Sequence, residues 1–102
     1  KKMITIDPIP QEFGLSQNYP NPFNPITKIG YSIPKEGKVY IQVYDITGRK
    51  IRNLVNEIKN PGYYSVHWDS RNDLGKNVSS GVYFYSINMG GYNHVRKMIL
   101  MR

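Results

Sequence analysis

The sequence predicts an all-β fold, an antiparallel β-sandwich or barrel of about seven strands. Turn residues divide the 102 residues into short apolar stretches, which recur about every ten residues as in antiparallel sandwiches and barrels. Nine tyrosines favour strands, while nine glycines and seven prolines favour turns. Because helical periodicity is weak throughout, a helical domain is not predicted. A chain of this length forms one domain and is too short for two.

The first residues, 1–14, are predicted to be a linker from a preceding domain. Met3–Ile6 alternates like an edge strand, but Pro8 and Pro10 then interrupt regular strand pairing. The chain does not begin with Met and shows no signal peptide, so we interpret it as part of a longer polypeptide. Residues 15–102 are predicted to form the sandwich.

The segment Leu15–Pro25 is predicted to be an ordered loop rather than a strand. Its three prolines fix their own backbone angles and push each preceding residue into extended geometry. The side chains of Asn21 and Asn24 can bond nearby backbone groups. Phe23 supplies an apolar anchor that can close one end of the core.

Three strands are predicted in the first half of the chain, at Ile26–Ile33, Lys38–Ile46 and Arg49–Ile58. Apolar and polar residues alternate along the first two, as in strands with one buried face. The positions predicted to face the core are Ile29, Tyr31, Ile33, Val39, Ile41 and Val43. A tight hairpin turn follows the second strand, because Gly48 can adopt a positive backbone angle and Asp45 can cap the turn.

Four further strands are predicted in the second half, at Tyr63–Trp68, Asn77–Ser79, Gly81–Met89 and Asn93–Met101. Asn60–Gly62 is predicted to be a turn, and Trp68 to lie at the centre of the core. The stretch Asp69–Ser80 is polar and rich in turn residues. Gly90–Gly91 suits a two-residue hairpin of the primed type.

The net charge favours acidic partners, since 14 Lys and Arg residues stand against 7 Asp and Glu, a formal +7. The basic residues are spread over at least three strands or turns, and no aromatic RNA-binding signature accompanies them, so no nucleic acid is predicted as a partner. The longest apolar runs, Val82–Tyr85 and Met98–Met101, are far shorter than the roughly 20 residues of a membrane span, so none is predicted. The absence of cysteine excludes disulfides, thiolate metal sites and cysteine nucleophiles.

Catalytic and metal-binding patterns are weak. His67 and His94 lie in predicted strands or turns without the spacing of a nucleophile and base, so no enzyme, cofactor or metal site is predicted. One loop does offer oxygen ligands of the kind that calcium prefers, at Asp69, Asn72, Asp73 and Asn77. The same residue types build turns, and the sequence leaves calcium binding open.

Five motifs occur in a fixed order, at Leu15–Pro25, Tyr44–Arg49, Trp68–Asp69, Ser80–Tyr85 and Lys97–Met98. Together they resemble the type A C-terminal sorting domain of the bacterial type IX secretion system, over Leu15–Arg102. The immunoglobulin-like domain of flagellar hook-capping proteins is similar across the Trp-Asp and Ser-Gly-Val-Tyr portions. The Asn-Pro-Phe-Asn-Pro segment favours the sorting domain.

This resemblance implies an all-β fold, an immunoglobulin-like antiparallel β-sandwich of about seven strands. It also implies a non-catalytic C-terminal secretion signal that targets a larger cargo protein to the type IX translocon. The cargo would pass through the periplasm and outer membrane of a Gram-negative bacterium, and be attached to the cell surface or released. The implied partners are the outer-membrane translocon, a shuttle protein and a surface sortase, with anionic lipopolysaccharide as a further candidate. The alternative is an immunoglobulin-like accessory or carbohydrate-binding module of a secreted polysaccharide-degrading enzyme, which would bind glycan through exposed tyrosines.

Carried over position by position, the terminal strand matches the segment that family members need for export: Arg96, Lys97, Met98, Ile99, Leu100, Met101 and Arg102. The other motif positions look structural: Asn21, Pro22, Phe23, Asn24, Pro25, Tyr44, Asp45, Gly48, Trp68, Asp69, Ser80, Gly81 and Tyr83. Ser70 stands where the family often has glycine, a departure that concerns turn chemistry. A terminal strand also offers backbone groups at a sheet edge, where a receptor can add a strand or read the adjacent charges.

Overall fold

Two antiparallel sheets face each other in the computed structural model, which describes residues 9–102. The strands are β1 (Gly14–Leu15), β2 (Thr27–Ile33), β3 (Gly37–Tyr44), β4 (Lys50–Lys59), β5 (Gly62–Trp68), β6 (Gly81–Met89) and β7 (Tyr92–Leu100). The smaller sheet has the order β1-β2-β5 and the larger the order β4-β3-β6-β7. The all-β sandwich prediction is confirmed. The predicted strand at Met3–Ile6 lies outside the described residues.

The core lies between the sheets and is built from alternate residues of the long strands. All six positions predicted to face inward in the first half are buried, with exposed fractions of 5% or less. Trp68 is fully buried, as predicted. Its ring meets Tyr83 edge-on at a centroid distance of 5.4 Å and lies tilted against Phe23 at 5.8 Å. These three rings close one end of the sandwich.

Both predicted hairpin turns are present. The Oδ1 atom of Asp45 accepts hydrogen bonds from the backbone N–H of Thr47 at 2.9 Å and of Arg49 at 3.0 Å, and from the Thr47 hydroxyl. The Thr47 hydroxyl, together with these N–H groups, lowers the pKa of Asp45. Gly48 has a φ of 89° and Gly90, between β6 and β7, a φ of 57°. Glycine meets this backbone requirement without steric cost.

Two parts of the predicted strand pattern differ from the structure. The predicted strand at Asn77–Ser79 is wrong, because this stretch contributes only an isolated bridge between Arg71 and Asn77. The polar loop instead folds back on itself, with the N–H of Val78 bonded to the carbonyl of Ser70 at 2.9 Å. The seventh strand is instead β1, which pairs with β2 at the start of the predicted loop.

The turn after β4 has a different role from the hairpin turns. It carries the chain from the larger sheet to the smaller one, because β4 and β5 belong to different sheets.

No helix of the described residues is long and apolar enough to cross a membrane.

Candidate functional site at the terminal strand

The strand predicted to carry the export signal, β7, forms one edge of the four-stranded sheet. It pairs with β6 without a register shift, from Met89 opposite Tyr92 to Gly81 opposite Leu100. One side of its backbone therefore bonds to β6, and the other faces away from the sheet.

The residues of the predicted export segment point in different directions. Met98 and Leu100 are buried in the core, with exposed fractions of 0% and 1%. Lys97 and Met101 are exposed, and Ile99 is half-buried. In the folded domain a partner can therefore reach Lys97 and Met101, whereas Met98 and Leu100 hold β7 in place.

The proline-rich loop lies against the outer edge of β7 near its end. The backbone N–H of Phe23 donates to the carbonyl of Ile99 at 3.0 Å, and the N–H of Met101 donates to the carbonyl of Phe23 at 2.9 Å. Phe23 is thereby paired with Leu100 in a parallel bridge. The side-chain oxygen of Asn21 accepts from the N–H of Ile99 at 3.0 Å. We call this arrangement the clamp, formed by Asn21 and Phe23 on Ile99–Met101.

Buried polar contacts position the loop that carries the clamp. Asn18 is only 2% exposed, and its backbone N–H donates to the hydroxyl of Tyr85 at 2.8 Å. That hydroxyl in turn donates to the carbonyl of Ser16 at 2.7 Å. The side-chain amide of Asn18 bonds to the Thr27 hydroxyl at 2.9 Å. Burial raises the pKa of Tyr85, so the phenol remains neutral and can keep donating.

No local pattern in the sequence indicates this network. In the sequence, Asn18 stands close to two prolines, a pattern that is typical of turns. The partner tyrosine lies in β6, and no local pattern links the two. The same holds for the hydrogen bond from the Gln17 side-chain amide to the carbonyl of Lys97, at 2.8 Å.

The two arginines of the predicted export segment are held by backbone carbonyls. The Nε atom of Arg96 donates to the carbonyl of Leu15, which ties β7 to β1. Arg102 donates from its guanidinium to the carbonyls of Val78 at 2.6 Å and Ser70 at 3.0 Å. Among the three cations of this segment, the ammonium group of Lys97 is the one without such a partner in the described residues.

The motif positions expected to be structural meet around the end of β7. The Ser80 hydroxyl accepts from the backbone N–H of Arg102 at 2.8 Å. The Ser70 hydroxyl donates to the carbonyl of Pro25. The Tyr83 hydroxyl donates to the carbonyl of Ser79 at 2.7 Å. Motifs far apart in the sequence therefore hold one end of the sandwich together.

The oxygen-rich loop uses its side chains to build its own turns. The side-chain oxygen of Asn72 accepts from the N–H groups of Leu74 at 2.9 Å and Lys76 at 3.0 Å. Asp73 accepts from the N–H of Asn53 at 3.0 Å, which fixes the loop to β4. Asp69 faces the guanidinium of Arg52 at 3.3 Å. Among the described residues, no three His, Cys, Asp or Glu side chains are grouped so that they could hold a metal ion.

Few tyrosines are placed where they could form a carbohydrate-binding surface. Tyr31, Tyr83 and Tyr85 are buried and serve packing. Tyr19 and Tyr63 are 77% and 67% exposed, but lie at different levels of the smaller sheet, with Tyr19 bridged to Lys28 and Tyr63 opposite Ser32. Most of the aromatic surface therefore contributes to the core and to cross-strand contacts.

Comparison with known proteins adds a family and a set of similar folds. The family described as "Secretion system C-terminal sorting domain" matches residues 17–101. That range includes the proline-rich loop, the clamp and all of β7. No curated protein sequence matches the chain significantly.

Among solved structures, dimeric latent PorU from Porphyromonas gingivalis is similar with a TM-score of 0.67 and 20% identity, over 84% of this chain and 9% of that chain. PorZ is described as an essential surface component of the type-IX secretion system of the same bacterium. It is similar with a TM-score of 0.60 and 22% identity, over 87% of this chain and 12% of that chain. FlgD from P. aeruginosa is similar with a TM-score of 0.58 and 15% identity, over 92% of this chain and 77% of that chain. The chain thus spans about a tenth of PorU and PorZ, and at these identities the likeness shows a shared fold.

Proposed function

The chain belongs to the C-terminal sorting domains of the type IX secretion system, and we propose that the export machinery recognises it as a folded unit through the exposed side of β7. Domains of this family mark proteins for export to the cell surface or the extracellular space. The observation that carries the proposal is the position of β7, an edge strand held in the core by Met98 and Leu100 while Lys97 remains exposed.

A sorting domain interacts with the type IX machinery. We assign the contact with this chain to the outer-membrane translocon, with the shuttle protein and the surface sortase acting on the same cargo. Anionic lipopolysaccharide is a further candidate partner, because the chain carries a formal charge of +7 and opposite charges attract at long range.

We assign the domain no catalytic role. The side chains that acid–base chemistry would use are occupied in turns and ion pairs, as Asp45, Asp69 and Asp73 illustrate. His94 stacks on Tyr92 at a centroid distance of 6.4 Å, and His67 lies opposite Lys28 in the other sheet. Binding alone is sufficient for a sorting signal.

We retain residues 1–14 as the linker to the cargo. The ring of Phe13 stacks on Tyr92 at 4.4 Å and Gly14 pairs with Ser32, so the end of the linker packs on the sandwich. A fusion that preserves these contacts should therefore start before Phe13.

The function can be tested with residues 9–102 fused to a neutral periplasmic passenger in a bacterium that has a type IX system. We expect the passenger to reach the surface or the medium, and its retention in the periplasm would refute the proposed function. Lys97→Glu should reduce export several-fold, because it reverses the exposed charge on β7 without removing a core side chain. Lys76→Glu makes the same change of charge in the distant polar loop and should leave export unchanged.

A further inference from the structure

We propose that the partner adds an extended strand of its own to the outer edge of β7 along Asn93–Lys97. The proposal rests on the proposed function and names the part of β7 that is contacted. The segment differs from the predicted export segment, since the clamp already covers the edge of β7 beyond Lys97.

The direction of the backbone groups follows from the ladder with β6. The N–H and C=O of Ile99 both bond to the clamp, so they point away from β6. In an antiparallel pair, residues alternate between bonding the neighbouring strand with both groups and with neither. Because the register is continuous, Lys97, Val95 and Asn93 also direct their groups to the outer edge.

Part of that edge is occupied and part is free. The carbonyl of Lys97 accepts from Gln17. Within residues 9–102, no hydrogen-bond partner is found for the N–H of Lys97 or for the N–H and C=O of Val95 and Asn93. Val95 is 55% exposed, on the outer face of the sheet. The free stretch covers five residues, about 16 Å at the usual rise of a strand.

The clamp shows that this edge accepts an extended peptide. Phe23 bonds to β7 as a neighbouring strand would, with one donated and one accepted backbone hydrogen bond. A partner strand would continue the same side of the ladder upstream of the clamp. The free stretch contains neither a proline nor a bulge, two devices that usually prevent strand addition. Of the other features that protect sheet edges, the stretch carries charged side chains, at Arg96 and Lys97.

The side chains of this edge indicate which strand would fit. Asn93, Val95 and Lys97 alternate on the outer face of the sheet, where Val95 offers an apolar contact and Lys97 a charge. Arg96 is turned towards Leu15 and does not contribute. The complementary segment is extended, carries an apolar residue opposite Val95, and places a carboxylate near Lys97.

Replacing one residue of the free edge tests the inference. Val95→Pro removes an N–H that points outward, so the β6 ladder keeps its hydrogen bonds, and proline is tolerated at such edge positions. We expect Val95→Pro to reduce export of the fusion at least tenfold. The matched variant Val95→Ile keeps both the N–H and the apolar contact, and its export should exceed that of Val95→Pro at least tenfold. Near-normal export of a folded Val95→Pro domain would overturn the inference.

Photo-crosslinking provides a second test, which does not depend on the stability of the proline variant. Benzoylphenylalanine at position 93 or 95 should yield an adduct that mass spectrometry identifies as an outer-membrane component of the type IX system. The same probe at Glu57, on the opposite edge strand β4, should not yield it. No adduct from β7, an equal adduct from both edges, or a dimer of the fusion itself would each overturn the inference. If the parent fusion is not exported, the proposed function fails; if it is exported without these effects, only the strand-addition inference fails.

Discussion

Replacing Phe23 with alanine should weaken the domain and release the end of β7. Phe23 is 2% exposed, and its ring packs against Trp68 at a centroid distance of 5.8 Å. Truncating a buried phenylalanine costs about 3–5 kcal/mol. Typical domains unfold with a free energy of about 5–15 kcal/mol, so the variant should still fold at low temperature.

Two measurements check this expectation. Urea denaturation should show the lower free energy of unfolding, and amide hydrogen exchange should show faster exchange at Met101, whose N–H donates to the carbonyl of Phe23. Phe84→Ala is the matched control, because Phe84 is half-buried and faces away from the clamp. A loss of less than about 1 kcal/mol with unchanged protection of Met101 would refute the reasoning, since the backbone bonds would then persist without the ring.

Two further outcomes are expected. Burial raises the pKa of Tyr31 to about 12, whereas the pKa of a tyrosine in the unfolded chain is about 10. The free energy of unfolding should therefore hold its full value below pH 10 and fall between pH 10 and 12, by up to about 1.4 kcal/mol per pH unit. Urea midpoints between pH 9 and 11.5 should show this decline, and Tyr31→Phe should make it shallower; an equal slope in both proteins would contradict the assignment. Gly48→Ala should lower the free energy of unfolding by about 1 kcal/mol, because alanine is strained at a positive φ. Gly91→Ala, at a position outside the positive-φ glycines and with open space around its Cβ, should change it less, and equal losses would argue against the backbone explanation.

Strand positions were predictable because they depend on local alternation. Val39, Ile41 and Val43 have the period of two that one buried face requires, and they lie in the core. The predicted strand starts at Ile26, whereas β2 begins at Thr27, and Ile26 is 50% exposed because the inward-facing positions are the odd-numbered ones from Thr27 onwards. Local pattern therefore locates a strand better than it locates its ends.

The candidate site was only partly predictable. The resemblance to the sorting-domain family selected the terminal strand, and the structure then separates its buried residues from its exposed ones. The clamp could not be predicted, because it joins Asn21 to Ile99, which are 78 positions apart, and largely uses backbone groups that every residue carries. The free edge at Asn93–Lys97 is equally invisible in the sequence, since it is defined by where the loop ends.

The clamp and the burial of Met98 and Leu100 make β7 part of the core as well as of the surface. A chain whose synthesis stops before β7 lacks these core residues, and leaves both the proline-rich loop and the edge of β6 without their partner. Contacts between distant parts of a chain also form late in folding. A folded sorting domain thus reports that the polypeptide has been translated through its terminal strand, and export that depends on this fold would select complete cargo over truncated cargo.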